Sequence, residues 1–214
     1  MEINVLPRIQ IVGAGPGSPD YLTFAGRRAV EQSDVLVGAQ RLLDLFPAHP
    51  ARVAMRPGVE SALAAISACG TEKRVAVIVS GDPGLLSLAR SVLAEFGRSA
   101  CQVIPGVSAL QVAFARVALD WSDARVIDAH GAAPDFPVSE LAGVAKAALF
   151  LGSARAAAWL ETLAGALGST HGFVACSNLT LGDEQVREVM PQDLQSLAPA
   201  PRTVLLVLRK DIWP

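Results

Sequence analysis

The run VAVIV, Val75 to Val79, contains no polar residue and stops on SGDPG. A strand that is apolar on both faces has to lie inside a sheet covered on both sides, and the Gly-Pro break behind it hands the chain to the next element. The same grammar recurs nearby. RIQIVGA (Arg8 to Ala14) runs into a glycine-rich turn, VLVG (Val35 to Gly38) is a short buried run, and CQVIPG (Cys101 to Gly106) again ends on Pro-Gly. Helical patterns lie between and after these runs, over YLTFAGRRAVEQS, VESALAAISA, LLSLARSVLAEF and VSALQVAFARVAL. Buried strands alternating with helices make an α/β fold on a mostly parallel sheet.

Beyond LDWSD (Leu119 to Asp123) the pattern changes. Strands are expected at RVIDAHG, AALFLG, GFVACSN, EQVREVM and TVLLVLR, with helices over SELAGVAKA, ARAAAWLETLAGAL and PQDLQSL. EQVREVM alternates apolar and polar residues, as an antiparallel strand open on one face does. The expected organisation is therefore two α/β lobes, residues 1–118 with a mostly parallel sheet and residues 119–214 with a mixed one, and a cleft between them.

Composition narrows the function classes. Hydrophobic residues make up 51% and charged residues 18% of 214, which excludes a disordered or collagen-like chain. Lys+Arg 18 against Asp+Glu 20 leaves a net charge of -2, so no basic field favours nucleic acid. No apolar run approaches the roughly 20 residues that span a bilayer, so no membrane partner is expected. MEINVLPRIQIVGAG has an early acid and no basic leader, unlike a signal peptide. Cys69, Cys101 and Cys176 are odd in number and far apart, and His49, His130 and His171 are equally scattered. That spacing fits neither a disulfide framework nor a metal site, and a reducing cytoplasm is expected.

The loop GAGPGSPD (Gly13 to Asp20) sits where a dinucleotide fingerprint would, but its chemistry is wrong for phosphate. The third glycine position of G-x-G-x-x-G is Ser18, and Pro16 removes a main-chain donor. Asp34, the acid at about the right distance for a ribose, precedes the second strand instead of ending it. Ser18 and Pro19 read as N-cap and first residue of a helical turn, and Asp82 and Pro83 read the same way in SGDPG. Ser108 stands where it would cap the helix after IPGVSAL, and SNLTLGDE (Ser177 to Glu184) is a further strand-end loop. In open α/β sheets, loops at strand carboxyl ends converge on the ligand. These loops are rich in small residues and poor in catalytic side chains, which suits a ligand held by main chain.

GAGPGSPDYLTFAGRRAVEQSDVLVG, VSGDPGLLSLA, IPGVSALQVAFARV and SNLTLGDEQV, in this order and spacing, resemble the tetrapyrrole (corrin/porphyrin) methylase family from Arg8 to Arg209. LTFAGRRAVEQSDVLVGAQRLLDLF and DARVIDAHG look most like its branch that methylates C5 of a precorrin in cobalamin synthesis. That branch is expected to carry Arg after His-Gly, where this chain has Ala132. The resemblance implies a cytoplasmic, homodimeric, S-adenosylmethionine-dependent C-methyltransferase. It implies cofactor contacts at Pro16, Gly81, Asp82, Leu85, Ser108, Ala109, Leu151, Leu179 and Thr203. The first loop, with Gly15 and Gly17, would face the tetrapyrrole. Arg116, Arg125 and Arg155 are candidates for its carboxylates, because a guanidinium binds a carboxylate through two parallel hydrogen bonds. Asp82 and His130 are the candidates to accept a ring proton. No metal is implied in the protein itself. A different acceptor, a non-catalytic corrin-binding module and, from the glycine loop alone, a nicotinamide-dependent oxidoreductase are the competing readings. The resemblance fits both a free-standing enzyme and the N-terminal half of one with a C15-methylating, decarboxylating partner, and both metal-free and cobalt-containing substrate.

Overall fold

A computed structural model describes residues 8–213, which divide after Ser108 into two compact units. The stretch that argues against a signal peptide falls partly on residues 1–7, outside the described residues.

In chain order the first unit holds β1 (Ile9–Gly13), α1 (Phe24–Glu31), β2 (Val35–Gly38), α2 (Gln40–Leu43), β3 (Arg52–Ala54), α3 (Val59–Ser67), β4 (Val75–Val79), α4 (Ala89–Phe96) and β5 (Cys101–Ile104). Its sheet runs β3-β2-β4-β1-β5 with every pairing parallel. All five residues of β4 are buried, as an apolar run at the centre of a doubly covered sheet requires. Alternation then sorts the side chains. Ile9, Ile11, Val75, Val77 and Val79 share one core cluster with Ile66 and Val92, and Val12, Ala76 and Ile78 share the other with Val30 and Leu42.

The second unit holds α5 (Ala109–Arg116), β6 (Arg125–Ala129), β7 (Lys146–Leu151), α6 (Ala157–Leu167), β8 (His171–Ser177), β9 (Gln185–Glu188) and β10 (Thr203–Arg209). Its order is β6-β7-β10-β8-β9; only β6 and β7 pair in parallel, and the remaining pairs are antiparallel. The two sheets are thus parallel and mixed, as read from the sequence, and β9 is the antiparallel strand expected there. Each residue of β9 is exposed, because it is an edge strand. Leu149, Leu205 and Phe173 of the sheet pack against Leu160, Leu163 and Leu167 of α6. Against the 118/119 division expected from sequence, α5 groups with the second unit, where it packs on β10.

Three local expectations change. The helix expected over 139–147 is a 3-10 turn, Val138–Leu141, because Lys146 and Ala147 already belong to β7. PQDLQSL is 3-10 as well, Pro191–Leu197. The helix expected from Leu85 starts only at Ala89, after a turn in which Leu86 takes φ 48°.

Lys146 is buried at the start of β7, with its ammonium 2.9 Å from Asp120, in contact with Asp123, and 3.0 Å from the Asp120 carbonyl. The Ser122 hydroxyl and Lys146 hold the Asp120 carboxyl down to about 2, from the ordinary 3.8. A depressed carboxyl contributes stability that is whole above 3.8 and lost as pH falls through about 2. Acid unfolding followed by circular dichroism should accordingly lose part of its slope in that window in Asp120→Asn. An unchanged curve would show that the cluster contributes nothing.

Candidate active site

The glycine loops meet on main chain in the first unit. β1 lies between β4 and β5, so their carboxyl ends are neighbours. A Cβ on Gly13 would lie 2.6 Å from the Gly106 nitrogen and 2.7 Å from the Gly81 oxygen; one on Gly106 would lie 2.5 Å from that oxygen and 2.8 Å from Gly13 C and Cα. No side chain fits there, so these glycines are required by close approach rather than by turn geometry. Gly15 and Gly81 then exchange main-chain hydrogen bonds, at 2.8 and 3.3 Å, both with positive φ. The loop GAGPG is stitched to SGDPG, and SGDPG touches IPG.

Asp82 adds the remaining tie. Its Oδ1 accepts from the Gly84 N–H at 2.7 Å and its Oδ2 from the Gly106 N–H at 3.0 Å. The N-cap role expected for Asp82 is corrected here: no helix starts at Pro83, and the carboxylate closes its own turn and reaches the β5 loop. Ser18 does cap, accepting from the Asp20 N–H at 3.2 Å ahead of Pro19–Tyr21. Ser108 is buried just before α5, Leu85 sits in the turn closed onto the Asp82 carbonyl, and Pro16 and Gly17 are half-buried. Asp34 accepts from the Arg74 N–H at 2.7 Å at the opposite end of the sheet, before β2 begins, and that bond with the Arg74 charge holds its carboxyl below the ordinary range. An acid there is far along the strands from the glycine loop, which removes the ribose partner a dinucleotide site needs.

In the second unit the register gathers a row: Ala129 opposite Leu151, Leu151 opposite Thr203, Thr203 opposite Ser177, Ser177 opposite Gln185. Leu151, Thr203 and the residues after Ala129 and Ser177 therefore share one edge. Thr203 is buried with its hydroxyl 2.9 Å from that of Ser177. His130 follows Ala129; its Nδ1 lies 3.3 Å from the Leu151 carbonyl, and its ring covers the space a Cβ on Gly152 would occupy, 2.3 Å away. Leu179 is buried in the loop after β8.

Two of the three arginine candidates are already engaged. Arg116 forks onto Glu184, Nε to Oε1 at 2.5 Å and Nη2 to Oε2 at 3.1 Å, and this hydrogen bond holds the Glu184 carboxyl below its ordinary range. Arg125 bonds Glu140 at 2.9 Å and lies 4.3 Å from the centroid of the Phe136 ring. Arg155 is exposed with no ion pair among the described residues. Cys176 is fully buried, and desolvation pushes its thiol up to about 12, so it is no nucleophile. Gly13, Gly106, Ser177 and Glu184 carry the geometry without having been singled out; for the glycines the signal was their position at strand ends.

Two α/β units in series, the first with strand-end loops closed main chain on main chain, make up a methyltransferase fold. The chain belongs to the tetrapyrrole (corrin/porphyrin) methylase family, whose model matches residues 8–195. It is 30% identical over 128 residues to the cobalt-precorrin-7 C(5)-methyltransferase of Salmonella typhimurium, spanning 60% of this chain and 64% of that one. The precorrin-6Y methylase of Archaeoglobus fulgidus superposes with a TM-score of 0.73 at 27% identity, covering 94% of this chain and 97% of that one. Uroporphyrin-III C-methyltransferase of Thermus thermophilus, complexed with S-adenosyl homocysteine, shares the fold with a TM-score of 0.73 at 18% identity, covering 94% and 97%.

Proposed function

We propose that this chain is an S-adenosylmethionine-dependent C-methyltransferase of cobalamin biosynthesis that methylates C5 of a precorrin-type tetrapyrrole. The observation that carries the reading is the joint likeness to a cobalt-precorrin-7 C(5)-methyltransferase in sequence and to a precorrin-6Y methylase in structure. The local geometry fits the cofactor. A loop whose wall is glycine main chain at Gly81, beside a buried Ser108, lets a ligand lie close against the backbone without a side chain in the way.

In the first unit Pro16, Gly81, Asp82, Leu85 and Ser108 would hold the cofactor; in the second, Ala109, Leu151, Leu179 and Thr203 would do so. Bound, it supplies a methyl group as a sulfonium electrophile to an electron-rich ring carbon. The chain's own work is then orientation, since in-line transfer needs reacting atoms within about 3–3.5 Å. Asp82 has both oxygens committed to main-chain N–H groups, so it shapes the loops. His130 is the better proton acceptor, because its Nε2 has no hydrogen-bond partner among the described residues while Nδ1 faces the Leu151 carbonyl. Gly15 and Gly17 would face the tetrapyrrole, and Arg155 keeps its fork available for a ring carboxylate. The reading extends to a cytoplasmic homodimer, supported by the scattered free cysteines and by the family resemblance, and to a C15-methylating partner.

Calorimetric titration with S-adenosylhomocysteine, beside NADH, tests this. Saturable binding of the former alone is expected. Absence of binding overturns the methyltransferase reading, and NADH binding would replace it with the oxidoreductase.

A further inference from the structure

The loop Asn178 to Glu184 holds a conformation its sequence does not favour. Asn178 has φ 51° and Thr180 φ 71°, both in the left-handed region. Asparagine tolerates that region, but a β-branched residue there is an outlier that persists only when its surroundings impose it. Leu179, between the two, is buried at 4% exposure. Two consecutive turns, Leu181 N–H to the Asn178 carbonyl and Glu184 N–H to the Leu181 carbonyl, both at 3.0 Å, fold the segment back on itself. The Asn178 N–H is bonded to the Arg202 carbonyl, and the Asn178 amide donates to Asp183 at 2.8 Å.

Glu184 ties Thr180 directly. Its Oε2 accepts the Thr180 N–H at 2.5 Å while also accepting from Arg116 Nη2, and its Oε1 takes Arg116 Nε. Arg116 ends α5, which packs on β10, so the fork is fixed to the body of the unit. One carboxylate thereby ties the left-handed residue to a helix. Exposed ion pairs on their own contribute little. This one is bidentate, largely sheltered on the Glu184 side, and its third hydrogen bond goes to strained main chain.

We propose that Arg116 and Glu184 are positioning residues that lock the Asn178 to Glu184 loop so that Leu179 is held ready for the methyl donor. The proposal rests on the methyltransferase reading, and it moves Arg116 from substrate carboxylates to loop geometry. It also separates two roles of Glu184: charge partner of Arg116 and main-chain acceptor for Thr180.

The test separates the same two roles. Glu184→Gln keeps an oxygen that can accept from both the Thr180 N–H and Arg116 Nη2, as Oε2 does, and loses the charge and the Arg116 Nε bond. The double swap Arg116→Glu/Glu184→Arg keeps a charge pair and loses the acceptor. Each is compared with wild type by calorimetry with S-adenosylhomocysteine, by thermal unfolding, and by hydrogen exchange at the Thr180 amide. The swap should bind about tenfold more weakly and lose Thr180 protection, because an arginine at 184 cannot accept. The Gln variant should stay closer to wild type in both. Wild-type affinity and protection in the swap would overturn the proposal, since any ion pair would then serve. A loss in the Gln variant as large as in the swap would also overturn it. If the wild type itself binds nothing, the methyltransferase reading fails first, and the exchange at Thr180 still decides whether Glu184 locks the loop.

Discussion

Gly106→Ala is expected to destabilise the first unit by about 3 kcal/mol, the upper end of what a forced overpacking costs. The added Cβ would sit 2.5 Å from the Gly81 carbonyl oxygen and 2.8 Å from two backbone atoms of Gly13. None of these is a side-chain tip that swings aside. Gly13 belongs to β1, which is paired with both β4 and β5, so relief at one strand end has to be taken up by the central ladder. Gly131→Ala is the matched control, because its Cβ would meet nothing within 4 Å and its φ is ordinary. Urea unfolding should show a large fall in midpoint for Gly106→Ala and almost none for the control, with similar slopes in both. A midpoint within experimental error of wild type would mean that the three strand ends are not packed main chain to main chain. The same variant should lose S-adenosylhomocysteine binding even where it remains folded, since the wall of the loop has moved.

That prediction marks where the sequence stopped being legible. The strands were readable because burial on both faces leaves uninterrupted apolar runs: Val35–Gly38 and Val75–Val79 coincide with elements of the structure. β3 left no such run, since Arg52 and Ala54 are exposed and only Val53 turns inward. Lys146 disguised the start of β7, because a buried lysine satisfied by Asp120 and Asp123 reads locally like a helix surface residue. The glycine loops were recognisable as strand-end loops by punctuation. Their contacts were not, because Gly13, Gly81 and Gly106 meet through pairing between strands distant in sequence. For Arg116 the charge was readable and the partner was not. Glu184 looked like one more acid in a loop, and only the fold brings it under the end of α5.

Asp82→Ala is the second large effect, and it discriminates between two roles for one carboxylate. Local sequence made Asp82 a helix cap, and the family resemblance made it a cofactor contact or a base. In the structure its two oxygens accept from Gly84 and Gly106, one N–H in its own turn and one from the neighbouring strand end, in place of the helix cap. Removing it leaves the part-buried Gly106 N–H without that partner, a loss of about 1–3 kcal/mol, more for a charged acceptor. Both loops it ties line the proposed cofactor site, so affinity for S-adenosylhomocysteine should fall by about a hundredfold, as loss of a charge-assisted anchor of this kind allows. Asp82→Asn is the sharper variant. An amide keeps the shape but offers one acceptor, so one of the two N–H groups must face an NH2 group, and binding should fall while the fold is retained. A base behaves differently: Asp82→Asn would then leave S-adenosylhomocysteine affinity unchanged and abolish turnover alone. Full affinity in Asp82→Asn would therefore return Asp82 to proton transfer. Weakened affinity in a folded variant would assign Asp82 to loop geometry and keep His130 as the proposed proton acceptor.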